Sequence, residues 1–140
     1  MAPLFGQTWN LFAPVPPINK NVYVSYLKSD GQWSKWDAPF SSLISDHQAN
    51  CMSPKIKLIY TLSNDLYYLY YEHRETLKKN NSIMGDTSAV YFKALKGAIR
   101  GLGYDAGEIK KLKLLVIYQT AACDARQVYA IYYPYIENRK

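Results

Sequence analysis

The chain has 140 residues, of which 49% are apolar, 20% charged and 15% aromatic, enough to bury one sizeable core and hardly two. These fractions exclude an intrinsically disordered chain, a collagen and a low-complexity sequence, because a chain this apolar offsets its conformational entropy by burial. Lys and Arg number 17 against 11 Asp and Glu, a net charge of +6; the cations run from Lys20 to Lys140 without a block, which describes a solvated basic surface and only permits attraction to phosphates.

Residues 1–20 read as an aromatic, proline-rich arm and residues 21–140 as a single domain. The arm carries Phe5, Trp9, Leu11 and Phe12 among Pro3, Pro14, Pro16 and Pro17. Such rings suit the headgroup level of a membrane, and the prolines prevent a helix from continuing. The other reading is an arm whose aromatics pack on the domain's own core.

The pattern Pro3-x-Phe5-x-Gln7-x-Trp9-x-Leu11-Phe12-Ala13-Pro14-x-Pro16 is followed by a Val/Tyr strand, Asp30-Gly31 and Trp36-Asp37. It resembles an uncharacterised family of small bacterial membrane-anchored proteins, in which the motif directly follows a single N-terminal transmembrane helix. A looser similarity extends to the sporulation-delaying-protein A-like family, accessory proteins of antimicrobial peptide systems. The strong part covers residues 3–37, about a quarter of the chain, and the family brings no assigned activity or catalytic residues. The resemblance implies an anchor directly before Ala2, with Met1 standing in its place, and a domain on the extracytoplasmic side of the cell membrane. The chain as written has no run of the roughly 18 apolar residues that a spanning helix needs and no signal-peptide pattern, and reads as soluble. Trp9 and Trp36, both in the motif, are expected to pin the arm and the hairpin on the core; Trp33 lies outside it.

From Asn21 to Lys28, Val22, Val24 and Tyr26 alternate with Tyr23, Ser25 and Leu27, the period of a half-buried strand. Asp30-Gly31 predicts a type I′ hairpin that returns Gln32–Trp36 onto that strand, with Lys28 opposite Trp33. Pro39 is expected to end it, and Phe40–Cys51, mixed and Ser-rich, reads as a loop with one short helical turn. Ser53-Pro54 is a helix start, and Ile59, Leu62, Leu66, Leu69, His73 and Leu77 predict an amphipathic helix from Pro54 to Lys79. A strand over Lys55–Thr61 competes, but register and length favour the helix. After a break at Asn80-Asn81-Ser82, a second helix begins near Asp86, capped by Asp86 or Thr87. It puts Tyr91, Leu95, Ala98 and Leu102 on one stripe and ends at Gly101 and Gly103; its outer face is basic through Lys93, Lys96 and Arg100. Lys111–Gln119 and Gln127–Tyr133 read as strands. The expected architecture is α+β in the order β-β-α-α-β-β: an antiparallel sheet of about four strands with two helices packed on one face.

Site chemistry is sparse. Asp46, His47 and Cys51 lack the spacing of a zinc site, and His73 reads as a packed histidine bonded to a neighbour. Gly97-x-x-x-Gly101 on a helix suggests close helix packing, and Gly101-x-Gly103 follows a helix where a phosphate loop would follow a strand, so it reads as helix termination. Cys51 and Cys123 are expected as free, half-buried thiols. No catalytic, metal or cofactor set emerges.

Three classes of function follow. The favoured one is a non-enzymatic extracytoplasmic domain of a membrane-anchored protein that binds a protein or peptide partner. A nucleic-acid-binding module using the basic helix and the 14 tyrosines is weaker, because no known signature accompanies it. An enzyme of unrecognised class is the third.

Overall fold

The computed structural model describes residues 18–50, 52, 54, 56–104, 109–121 and 126–137. Pro3, Phe5, Gln7, Trp9, Phe12, Pro14 and Pro16 of the arm lie outside them, as do Cys51 and Cys123. The elements are β1 (Ile18–Tyr26), α1 (Pro39–Ala49), α2 (Ile56–Lys79), β2 (Ser82–Met84), α3 (Val90–Ile99), a π-helical turn over Arg100–Tyr104, β3 (Lys111–Ala121) and β4 (Arg126–Glu137). The α+β class holds. The order β-α-α-β-α-β-β replaces the expected one.

One four-stranded sheet runs β1-β3-β4-β2. Alternation puts Val22 and Val24 of β1, Leu112, Leu114, Val116 and Tyr118 of β3, and Tyr129, Ile131 and Tyr133 of β4 into one core with the helices. Val22 stands opposite Val116, and Val116 opposite Ile131, so β-branched side chains form a row across the central strands, where they pack well. The other face carries Tyr23, Leu115 and Tyr132 in register, half-buried.

The expected hairpin is present but altered. Gly31 has φ of 82° and no described non-glycine residue has a positive φ, so Asp30 does not adopt the type I′ conformation. Instead Gly31 N–H donates to Lys28 O (3.0 Å) and Lys28 N–H to Gln32 O (2.9 Å), a type I turn closed by a glycine bulge. The longer loop moves the register by one residue, and Leu27, not Lys28, faces Trp33. The return segment makes isolated bridges in place of a strand, because the Ser34 hydroxyl takes the Tyr26 N–H at 3.0 Å and donates to Lys35 O.

The fourth strand comes from β2, which starts at Ser82, the last residue of the stretch read as a break, and fills the gap before the expected second helix. It pairs in parallel with β4, so the sheet is mixed. Pro39 begins α1 where a stop was expected, and the helix forms because Phe40 and Leu43 on one side are buried. Proline suits this first position, where its missing N–H would have no helical acceptor. Strand β4 also continues past Pro134. Leu112 faces Ile136 while Leu114 faces Tyr133, so Pro134 and Tyr135 together oppose Lys113, and the bulge absorbs a residue that cannot donate to the ladder.

Helix α2 follows its predicted stripe, with Leu62, Leu66, Leu69 and Leu77 buried, each worth roughly 1.5–3 kcal/mol relative to exposure. In α3 the buried residues are Phe92, Leu95 and Ile99, with Tyr91, Ala98 and Leu102 half-buried beside them. Its cap is Ala89, without a side-chain bond. Asp86 instead accepts from Ser88 N–H at 2.8 Å, forming the turn that precedes the helix. Gly103, at φ of 100°, ends the helical path as expected. Gly97 and Gly101 face open space, which removes the expected close packing. Among the described residues no helix is long and apolar enough to cross a membrane.

Candidate functional site

Asp37, the last residue of the Trp36-Asp37 pair in the sequence pattern described above, is clamped on the edge of β1. Val24 N–H donates to Asp37 O and Asp37 N–H to Val24 O, both at 2.8 Å. Pro39 then turns the chain into α1. From the far side, the positive φ of Gly103 swings the chain out of the π turn and brings Tyr104 over β1. The Tyr104 hydroxyl donates to Asp37 Oδ2. Its ring meets Tyr26 edge to face, with centroids 6.2 Å apart, an arrangement that sets a positive ring edge on a negative face.

Between these residues lies a cleft of about 360 Å³ lined by Tyr26, Asp37, Pro39, Ser42, Leu102 and Tyr104, among others. Burial, then the hydrogen bond to Asp37 and the charges of Asp37 and Tyr26, hold the Tyr104 phenol well above its ordinary range. Its proton therefore stays in place at neutral pH, and the pair acts as phenol donor and carboxylate acceptor. Polar groups make the larger share of the wall, set beside the rings of Tyr26 and Tyr104 and the aliphatic Pro39, Leu102 and Ile109, and among the described residues the Asp37 carboxylate supplies the one charge that could orient a ligand.

Trp36 is 46% exposed, against the expectation of a ring pinned on the core. Trp33 takes the more structural part: half-buried, it carries Lys113 Nζ over its ring at 3.8 Å, a cation–π contact that ties the return segment to the sheet. The basic residues of α3 do not act as one set. Lys96 donates to Glu137 O at 3.2 Å and so links α3 to the end of β4, Lys93 is exposed and Arg100 half-buried. His73 also departs from expectation: its Nε2 is buried and has no hydrogen-bond partner among the described residues.

A second hollow, of about 220 Å³, opens where Ile18 and Lys20 of β1 meet Phe40, Ile44, Ile59 and Leu66 of the helices. Lys20 Nζ donates there to Ser63 O (2.9 Å) and Ser63 Oγ (3.1 Å), and burial pushes its pKa below the ordinary lysine value. Sequence reasoning missed Tyr104, Tyr26, Lys20 and Ser63. The glycine pair before Tyr104 was the only local signal, and it marked the helix end without saying what the turn would meet. Compared with protein-family models, with curated proteins and with solved structures, the chain finds no match.

Proposed function

We propose that the chain is a non-enzymatic binding domain of a small bacterial membrane-anchored protein, held on the extracytoplasmic side, and that it takes a protein or peptide partner at the Asp37–Tyr104 cleft. The observation that carries the reading is that Asp37, at the end of the pattern that carries the resemblance, meets Tyr104 from 67 positions away in the wall of a cleft that sets the Asp37 carboxylate beside tyrosine rings. The anchor and the location rest on the resemblance of residues 3–37 alone. A partner segment with a hydrogen-bond donor beside an apolar side chain suits this wall, the donor going to Asp37 and the apolar group between Tyr26, Leu102 and Pro39. Trp36, exposed next to Asp37, is the kind of residue enriched in interfaces.

The test is a photo-crosslinking amino acid placed at Ser42 or Leu102, in cells that express the native gene. A discrete adduct is expected that weakens in Asp37→Ala and does not form from Gln127 on β4. The same adducts from all three positions, or adducts indifferent to Asp37→Ala, would overturn the cleft as the binding site. Location is tested separately with a reporter fused after Lys140, where activity confined to a cytoplasmic reporter reverses the assignment.

A further inference from the structure

Helix α2 buries leucines on one side and presents tyrosines on the other. Tyr60, Tyr67, Tyr68 and Tyr71 are 64%, 39%, 48% and 61% exposed, on a face where a surface helix ordinarily carries charges. Tyr60, Asn64, Tyr67 and Tyr71 follow the alternating spacing of four and three that draws one stripe along a helix. The stripe is organised in advance: Tyr67 and Tyr68 meet edge to face at 5.7 Å, and Tyr68 stacks at 5.0 Å on Tyr91 of α3. Lys20 Nζ lies 5.5 Å from the Tyr67 ring centroid and braces it from the side. Tyrosines held this way give a large contact area at low entropic cost, which marks an interface.

The charges that flank the stripe say which partner it fits. Lys57 and Glu75 are 75 − 57 = 18 residues apart, about five turns and about 27 Å, so they lie on the same side of the helix. The Glu75 side chain is 81% exposed, and its pair with Lys78, at 3.3 Å, is solvated and holds it only weakly. A second copy laid antiparallel, about a two-fold axis level with Leu66, sets Lys57 opposite Glu75 of the partner subunit, and symmetry repeats the contact at the other end. The same register sets Tyr60 opposite the partner's Glu72 and Asn64 opposite the partner's Tyr68. A slip of one residue would set Lys57 against the partner's Arg74, and parallel pairing would oppose like charges at both ends. Of these three arrangements, only the antiparallel one in this register sets opposite charges together at both ends.

We propose that the tyrosine face of α2 is a self-association surface, on which two copies of this chain pair antiparallel through α2. None of the cleft-lining residues named above lies on α2, so the proposal stands apart from the binding reading.

Sedimentation velocity over a wide concentration range tests it, with a reversible dimer expected. Lys57→Glu and Glu75→Lys each turn two favourable contacts into two repulsive ones and should weaken dimerisation about tenfold or more. An equimolar mixture of the two variants should dimerise again, because the mixed pair regains opposite charges at both ends. The doubly exchanged chain, K57E/E75K, should dimerise like the original. Circular dichroism checks that each variant is folded, and the mixture reads only the pairing of chains already shown to fold. A monomer at every concentration, or a dimer indifferent to both single reversals, overturns the proposal. So does a monomer that floats with phosphatidylcholine and phosphatidylglycerol vesicles and loses this in Tyr60→Ser/Tyr71→Ser, since the face would then belong to a membrane surface.

Discussion

Gly85 lies so close to Tyr133 that a β-carbon at position 85 would overlap the ring. Tyr133 is fully buried, and Phe92 of α3 stacks on it at 4.2 Å. Gly85 is itself tied to β4 by its N–H, which donates to Tyr132 O at 2.9 Å. Neither side can yield, so Gly85→Ala should destabilise by about 1–3 kcal/mol or more. Urea unfolding checks this: the midpoint falls while the slope stays unchanged.

Two buried tyrosines on the same sheet face should respond in opposite ways to loss of the hydroxyl. The Tyr118 hydroxyl donates to Leu66 O of α2 at 2.7 Å, so Tyr118→Phe should cost about 0.5–1.5 kcal/mol. The Tyr133 hydroxyl is buried without a partner among the described residues, and Tyr133→Phe removes an unsatisfied group, so it should be neutral or stabilising. Chemical denaturation of both variants decides, and the reverse ranking would refute the assignment of these bonds.

Alkaline pH should unfold this protein early. Burial is the leading cause that raises Tyr70, Tyr104, Tyr118 and Tyr133 above the ordinary phenol value. The native state therefore keeps protons that the unfolded chain releases. Stability from these groups is fully present below about pH 10, the unfolded phenol value, and declines as pH rises beyond it. Melting temperature against pH should fall above that point, and less steeply in Tyr118→Phe.

Asp37→Asn should bring the Tyr104 ionisation down toward the ordinary phenol range. Burial remains in the variant, but the negative charge and its acceptor strength, which add to the shift, are gone. Ultraviolet difference titration reads the phenols, and Tyr104→Phe identifies the transition. An unmoved Tyr104 titration in Asp37→Asn would refute the contact.

The Trp36-Asp37 pattern drew attention to Asp37, but half of the cleft was beyond a linear reading. Asp37 and Tyr104 meet because β1 and β3 pair and a π turn ends α3, and no local period encodes that distance. Trp33 and Trp36 illustrate the same limit. Their roles depend on where the return segment leaves the β1 edge, and that is decided by the Ser34 side chain competing for the Tyr26 N–H.

Elements whose cores are local and periodic were readable from the residue order: β1, β3, α2 and α3 each carry enough apolar residues at one spacing to choose a conformation and a buried face. The residue order also marked the turn at Gly31 and the helix end at Gly103, since only glycine adopts those backbone angles without strain. Helix α1, strand β2 and the end of β4 depend on long-range packing. Helix α1 is 11 residues long and β2 only 3, too short to be stable on local propensity. The first forms because Phe40 and Leu43 have a core to enter, and the second because β4 offers it a ladder. At Pro134 the strand continues because a bulge can accommodate the missing donor, a solution that exists only once β3 lies alongside.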